Sequence, residues 1–223
     1  TDMTVQEMVD EGTRRAYLNP DNPLRASIVS DPAGARQNTK DNTPAVVHID
    51  MVPGEKIEVM IAAKGGGSEN KSKMVMLNPS DDIADWVVKT LPTMGAGWCP
   101  PGMLGIGIGG TAEKAAVLAK ESLMDPVDIQ ELIERGPQNT DEKLRLEIFE
   151  RVNKLGIGAQ GLGGLTTVVD VKIKSLPTHA ASKPVAMIPN CAATRHAHFY
   201  LDGSGPAELT PPRLEDWPEV TWE

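Results

Sequence analysis

Aromatic residues are scarce in this sequence, whose 223 residues include only 4 Trp, 2 Tyr and 2 Phe. A core must therefore be built from aliphatic side chains and Met, which the hydrophobic content of 40% can supply. The 21 Gly and 18 Pro indicate many turns and loops. The length fits one large domain or two small ones.

Positive charge and long apolar runs are also lacking. The chain has 22 Lys and Arg against 31 Asp and Glu, and its net charge of −9 argues against a nucleic-acid partner. A local basic pocket for a small anionic substrate stays compatible with this charge. No apolar run approaches the ~20 residues that a membrane span requires, and no secretory pattern opens the chain. We therefore expect no membrane partner and a cytoplasmic location.

Cysteine occurs only twice, as Cys99 and Cys191. Two cysteines in a chain of this length do not make a disulfide scaffold, and neither belongs to the C-x-x-C pair that is common in zinc sites. The residues alone leave four interpretations open for Cys99: a buried apolar residue, a nucleophile with His179 as its base, half of a disulfide, or a metal ligand. Widely separated cysteines can hold an iron–sulfur cluster.

The order of turn signals and periodic segments predicts an α/β fold. Alternating or β-branched runs predict strands at residues 45–52, 56–65, 103–110, 165–176 and 195–203, and a short strand just before Cys191. The first two strands are expected to form a hairpin that turns at Gly54. Capping residues and helical periodicity predict helices at residues 4–18, 80–95, 111–124, 127–136 and 140–156. Because the two types interleave, we expect a mixed β-sheet flanked by helices.

Two glycine-rich segments are candidates for anion binding. In "AKGGGSENKS" (63–72), converging backbone amides and nearby lysines could hold an anion, and a flexible loop is an equally good interpretation. In "GIGIGGTAEKAA" (105–116), glycines precede a helix, as at many anion sites. The spacing of Gly105, Gly107 and Gly110 falls inside the predicted strand, however, which favours close packing of strand on helix over nucleotide binding.

Single polar residues in loops are weaker candidates. Arg25, in "NPLRAS", could clamp a carboxylate or be an ordinary surface residue. His179, in the Pro-bounded segment "PTHAASKP", could act as a general acid or donate to a substrate carboxylate, and a structural or exposed histidine is the alternative. His196 and His198 share one face of a predicted strand and could form a metal pair, although surface positions favour the simpler role.

Five segments taken together resemble class I (iron–sulfur) fumarate hydratase and the closely related α subunit of L-tartrate dehydratase. They follow the family's order over residues 22–195: "NPLRAS", "AKGGGSENKS", "WCPPGMLGIGIGGTAEKA", "LGIGAQGLGGLTTVVDVKI" and "LPTHAASKPVAMIPNCAATR". The resemblance implies that residues 1–205 form the N-terminal domain of such an enzyme, incomplete at its N-terminus. Residues 206–223 would begin the linker to a missing C-terminal domain. We expect a fragment of a single-chain enzyme rather than an α subunit.

The resemblance implies a hydro-lyase that interconverts fumarate and L-malate, a reaction of the tricarboxylic acid cycle. A [4Fe–4S] cluster held by three cysteines would leave one iron open as a Lewis acid for the substrate hydroxyl. Cys99 and Cys191 would be two of these ligands, and the third would lie upstream of Thr1. Because one ligand is missing, this chain alone is expected to hold no stable cluster and to be inactive.

The same resemblance assigns the substrate contacts. Arg25 and His179 would bind the carboxylates of the dicarboxylate, with His179 also catalytic, Gly66 would donate a backbone N–H, and Gln160 would approach the cluster. The complete enzyme would be a homodimer. Three alternatives stay open: the α subunit of L-tartrate dehydratase, a non-enzymatic anion-binding module, and a thiol enzyme that uses Cys99 with His179.

Overall fold

The computed structural model describes residues 2–207, and the chain divides between Glu55 and Lys56 into two compact units. The predicted linker at 206–223 therefore lies almost wholly outside the described residues. In the first unit, helix α1 (Val5–Leu18) precedes a short antiparallel ribbon of β1 (Val29–Ser30) and β2 (Gln37–Asn38). The spacing of Thr4 and Glu7 predicts a capping box at the start of α1, and the structure confirms it, because each side chain accepts the other residue's backbone N–H.

The second unit contains the remaining eleven labelled elements. In chain order they are β3 (Ile57–Ala62), α2 (Gly66–Glu69), β4 (Lys73–Leu77), α3 (Ile83–Thr90), β5 (Gly102–Gly109), α4 (Ala112–Ser122), α5 (Ile129–Arg135), α6 (Thr140–Asn153), β6 (Val168–Leu176), β7 (Lys183–Asn190) and β8 (His196–Leu201). Short 3₁₀ turns span Leu91–Met94 and Ala159–Gly161. Within the described part of the chain, no helix has the length and apolarity to cross a membrane.

Four of these strands form a mixed sheet in the order β4-β7-β5-β6. β7 runs antiparallel to both β4 and β5, and β6 runs parallel to β5. Helices α4 and α6 pack on this sheet. The prediction of an α/β fold with a mixed sheet flanked by helices is confirmed.

The predicted hairpin of residues 45–52 and 56–65 is wrong. β3 pairs with β8 instead, with Ile57 opposite Leu201 and Ala62 opposite His196, and residues 45–52 form no strand. Alternation of apolar residues shows that a segment can be extended, but it does not identify the partner. The sequence analysis predicts no strand at β4, whose five residues, KMVML, include a single β-branched residue.

Helix starts differ from the predictions by one or two residues. The sequence predicts Thr140 as the N-cap of α6, and the structure has Asn139 instead. It predicts Ser80 or Asp81 as the N-cap of α3, and the structure has Asp82. In both helices the observed cap accepts the backbone N–H three residues on, which satisfies an amide that the first turn leaves unpaired.

The glycines of β5 allow the sheet and α4 to approach to backbone contact. A Cβ atom on Gly107 would lie 1.9 Å from the carbonyl oxygen of Ala115, and one on Gly105 would lie 2.2 Å from that of Ala119. Leu104 and Ile106, which alternate with these glycines, are fully buried. The preference for close packing over a nucleotide fingerprint is therefore confirmed.

A buried network of charges joins β6 to the loop before α5 and to α6. Asp170, which is fully buried, pairs with Lys172 at 3.0 Å and Arg145 at 3.2 Å, and accepts the backbone N–H of Asp128 at 2.9 Å. Burial opposes ionisation of the Asp128 carboxyl, but hydrogen bonds from Arg145 and Lys172 outweigh it and lower its pKa. The buried charge of Asp170 is tolerated because two cations and a backbone N–H compensate it.

We predict that Gly107→Ala destabilises the second unit by about 2–4 kcal/mol, because backbone rather than a flexible side chain occupies the space of the new methyl group. Gly12→Ala is the control. It lies inside α1 with no atom near the new Cβ and should stabilise by about 0.5–1 kcal/mol. Urea unfolding of both variants measures the difference, and equal effects would contradict the close packing of β5 on α4.

Acid should weaken the contact between α5 and α6. The guanidinium of Arg135 and the backbone N–H of Gln138 lower the pKa of Glu142 to about 2. Because the folded pKa is below the ordinary value of 4.5, the contribution of Glu142 is complete above that value and disappears as pH falls toward 2. Glu142→Gln should therefore lower the urea midpoint at pH 7 and match the parent near pH 2. Arg135→Met should have the same effect on the urea midpoint. A midpoint difference between variant and parent that stays constant with pH would refute the role assigned to the Arg135–Glu142 ion pair.

Candidate functional site

One end of the four-stranded sheet gathers four connecting segments. Since β7 is antiparallel to its neighbours, its last residues lie beside the first residues of β4 and β5, and those of β6 are adjacent. The register shows this, with Lys73 opposite Met187, Met103 opposite Asn190 and Gly102 opposite Val168. The segments attached there are residues 63–72, 96–101, 157–167 and 191–195. We call this region the loop end of the sheet.

Both cysteines lie at the loop end. Cys99 is three residues before β5, and Cys191 directly follows β7. Cys99 has a left-handed backbone with φ 58°, donates its N–H to Ala96 O at 2.9 Å, and exposes its side chain. Cys191 is half-buried, and its Sγ contacts Ala193 O at 3.5 Å. The two are not joined as a disulfide, and the interpretation of Cys99 as a buried apolar residue is wrong.

The glycine-rich segment packs directly on the loop that carries Cys99. A Cβ on Gly67 would lie 2.8 Å from the carbonyl oxygen of Gly97, and a Cβ on Gly97 would lie 2.7 Å from Lys71 Cε. Gly66, by contrast, faces open space, with no atom near the position of an added Cβ. The segment forms the single turn of α2, which Asn70 closes by donating to Gly66 O at 2.9 Å.

Lys64 holds the glycine-rich segment from inside. Only 11% of its side chain is exposed, and its Nζ donates to Ser68 Oγ at 3.0 Å and pairs with Glu69 Oε2 at 3.1 Å. Lys120, from α4, pairs with the same carboxylate. Burial lowers the pKa of Lys64, and the contact with Glu69 partly offsets this effect. Glu69 is thus shared by two cations, one in the segment and one in the helix beneath it.

Gln160 also lies at the loop end. Its backbone is left-handed, with φ 53°, and its N–H donates to Pro100 O at 2.7 Å. The neighbouring Gly161 approaches Ala96 so closely that an added Cβ would lie 2.7 Å from the Ala96 Cβ. The second glycine-rich loop therefore contacts the segment that carries Cys99.

His179 lies at the opposite end of the sheet. It occupies the turn between β6 and β7, where Leu176 is opposite Gly109 and Lys183 is opposite Leu77. The eight residues of β7 separate this turn from Cys191, a length of roughly 25 Å at the usual rise of a strand. Within one chain His179 cannot act as a base for Cys99, so the thiol-enzyme hypothesis is wrong for a single copy.

The remaining predicted residues belong to other segments of the chain. Arg25 belongs to the first unit, in the irregular segment between α1 and β1, where it is exposed. His198 lies on the β3–β8 ribbon and hydrogen-bonds Glu58 Oε1 through Nε2 at 2.7 Å, and the hydroxyl of Tyr200 donates to the same oxygen. No group of three His, Cys, Asp or Glu side chains that could hold a metal occurs among residues 2–207, so the histidine pair gains no support.

The sequence analysis included Lys64 among the lysines near the glycine-rich segment but missed two further cations of this region, Lys120, which pairs with Glu69, and Arg195. The four segments of the loop end carry three positive residues, Lys64, Lys71 and Arg195, against the single acid Glu69. This local excess contrasts with the net charge of −9 for the whole chain. Arg195 is the last residue of the motif segment "LPTHAASKPVAMIPNCAATR", four residues after Cys191, and this position is the sequence signal that could have marked it. The arrangement favours a small anion at this end of the sheet.

Comparison with known proteins agrees with the motifs. A family model described as fumarate hydratase (Fumerase) matches residues 1–200. The chain belongs to this family. The segments at the loop end are therefore those of a fumarate hydratase family member, and all four fall inside the matched residues.

Three curated relatives show the range of this family. A Methanocaldococcus jannaschii protein provisionally named L(+)-tartrate dehydratase subunit alpha is 38% identical over 203 residues, 87% of this chain and 68% of the relative. The L(+)-tartrate dehydratase subunit alpha of Escherichia coli strain UTI89 is 32% identical, covering 86% and 61%. The anaerobic class I fumarate hydratase of Escherichia coli K12 is 31% identical, covering 90% and 37%. The chain thus matches less than two thirds of either Escherichia coli relative.

The contact between the two loops can be tested with neighbouring glycines. Gly67→Ala should destabilise the second unit by about 1–3 kcal/mol, because the new methyl group meets the backbone of Gly97, and should speed alkylation of Cys99. Gly66→Ala, which adds a methyl group in open space, should leave both the urea midpoint and the alkylation rate near those of the parent. Equal effects of the two substitutions would show that the glycine-rich segment does not pack on the cysteine loop.

Proposed function

We propose that this chain is part of a hydro-lyase that interconverts fumarate and L-malate and uses a [4Fe–4S] cluster bound in part by Cys99 and Cys191. One observation carries the proposal: two thiols 92 positions apart in sequence meet at one end of a sheet, beside a glycine-rich turn and an excess of positive charge. Membership of the fumarate hydratase family supports it.

The two cysteines fit the role of cluster ligands. Thiolates are the usual ligands of iron–sulfur clusters, neither cysteine is consumed in a disulfide, and the Cys99 side chain is exposed. The 223 residues contain no third cysteine, so the third ligand would come from outside them. When bound, the cluster would supply an open iron as a Lewis acid that makes hydroxide a better leaving group.

The chain's own residues would bind and orient the dianionic substrate. Gly66 has open space around the position of a Cβ and is the first residue of α2, where a helix leaves the backbone N–H unpaired, so a carboxylate would bind that N–H. Lys64 keeps the turn in place through Ser68 and Glu69. Gln160 would lie beside the cluster. Arg25 and His179 stay proposed carboxylate contacts. Since His179 is at the far end of its own sheet, it would reach a loop end only from a second copy, which fits the expected homodimer.

L-Tartrate dehydration is the second candidate. Two relatives, at 38% and 32% identity, carry the name of the α subunit of L(+)-tartrate dehydratase, and a subunit named alpha implies a partner subunit. Tartrate and malate are both four-carbon dicarboxylates with a hydroxyl group beside a carboxylate, so the loop-end residues described here would suit either. Comparison of kcat/KM for L-malate and L-tartrate in the complete enzyme decides between them.

The cluster proposal predicts two results. Anaerobic reconstitution of this 223-residue chain should give fewer than four irons per chain and no hydratase activity, because only two thiolates are available. In the complete enzyme, Cys99→Ser and Cys191→Ser should each abolish the visible absorption of the cluster and reduce turnover by at least about 10³-fold, since hydroxide then leaves without Lewis-acid assistance.

Lys143→Met, which removes a charge far from the cysteines, is the control and should keep both cluster and activity. Four stable irons on the isolated chain would contradict the assignment of an outside ligand. Full activity without Cys99 would contradict the cluster proposal. A complete protein that has no hydratase activity and binds anions equally well with and without Cys99 would favour the remaining alternative, a non-enzymatic anion-binding module.

A further inference from the structure

We propose that Arg195 is a carboxylate-binding residue of the loop end, where it receives one carboxylate of the dicarboxylate substrate. This inference rests on the proposed function for the class of ligand. It assigns a role to a residue that belongs to none of the predicted substrate contacts.

The backbone and one side-chain nitrogen fix the position of Arg195. Its carbonyl oxygen accepts the N–H of Ala63 at 2.9 Å, and its Nε donates to Ala63 O at 3.1 Å. The backbone bond continues the β3–β8 pairing beyond Ala62 and His196, and the Nε bond ties the side chain to the same residue, Ala63. The guanidinium is therefore held in a defined orientation at little further entropic cost.

The outer edge of the guanidinium points toward the glycine-rich turn. Its Nη2 lies 3.9 Å from the position that a Cβ on Gly65 would occupy. Among the described residues the Nη1 and Nη2 groups have no hydrogen-bond or ion-pair partner, so four N–H donors stay available after Nε is used. Two parallel N–H groups match the two oxygens of a carboxylate.

Nothing acidic in the four segments neutralises this group. Their single acid is Glu69, and its carboxylate already pairs with Lys64 and Lys120. Arg195 therefore adds an uncompensated positive charge next to Gly65 and four residues from Cys191. A chain with net charge −9 repels a dianion at long range. A fixed cation at the loop end offsets this repulsion locally and would allow a dicarboxylate to bind there.

A thiol-reactivity assay on the chain with Cys99→Ser, where Cys191 is the only thiol, tests the proposal without iron or turnover. The rate of modification is measured with dianionic dithiobis(nitrobenzoate) and with uncharged dithiodipyridine. The ratio of the two rates reports the local potential, because the reactivity of the thiol itself cancels. A second arm measures whether fumarate or L-malate slows modification, against sodium chloride at equal ionic strength.

Three variants are compared with this parent. Arg195→Met should lower the rate ratio about fivefold, the effect of one unit charge on a dianion across several ångströms of solvent, and should abolish protection by the dicarboxylates. Arg195→Lys should keep most of the ratio and lose most of the protection, because it retains the charge without the fork. Lys143→Met should change neither value. It lies in the first turn of α6, where Asp141 bonds Ser175 at the far end of β6.

A ratio that falls equally in Arg195→Met and Lys143→Met would overturn the proposal, as would protection that is absent from the parent or survives in Arg195→Met. A lower ratio without protection would also overturn it, since charge alone is not a binding site. Iron reconstitution is a separate measurement, so the failure of the cluster proposal and the failure of this one are distinguishable.

Discussion

The position of β7 between β4 and β5, antiparallel to both, is the constraint on which the candidate site depends. It directs the chain after Asn190 back to the region from which β4 and β5 start. Cys191, Cys99 and the glycine-rich turn become neighbours only for this reason. A parallel β7 would carry Cys191 to the far end of the sheet and leave His179 beside Cys99.

Close backbone packing supports this arrangement. The glycines of β5 admit α4 to contact distance, and α4 in turn brings Lys120 under the turn that holds Glu69. Lys64, almost fully buried, joins that carboxylate from the other side. The cysteine loop then rests on Gly67, where no other residue would fit without displacement of backbone. Ordered backbone and fixed charges therefore surround the two thiols before any ligand is bound.

Local signals predicted the local structure well. Capping residues and periodicity identified α1, α4 and α6, and the alternation of glycine with apolar residues identified β5 and its packing role. They could not predict that β3 pairs with β8, because the partner lies about 140 residues along the chain and apolar alternation names no partner.

The residues of the candidate site also divide into those that sequence motifs predict and those that only the folded chain reveals. Family motifs marked Cys99, Cys191, Gly66 and Gln160, which the structure gathers at one end of the sheet. The position of His179 at the other end follows from strand direction, which sequence does not display. The roles of Lys64 and Arg195 follow from contacts with Glu69, Ala63 and Gly65, and these contacts form only when the chain folds.

The convergence of Cys99 and Cys191 is the central claim, and a pulsed electron paramagnetic resonance distance measures it most directly. Nitroxide labels on the two native cysteines report their separation, and a second pair, Cys191 with His179→Cys in a Cys99→Ser background, reports the length of the sheet. The account predicts that the first distance is shorter than the second by about 10 Å or more, given the strand that separates residues 179 and 191. Equal distances, or a longer one between Cys99 and Cys191, would contradict it.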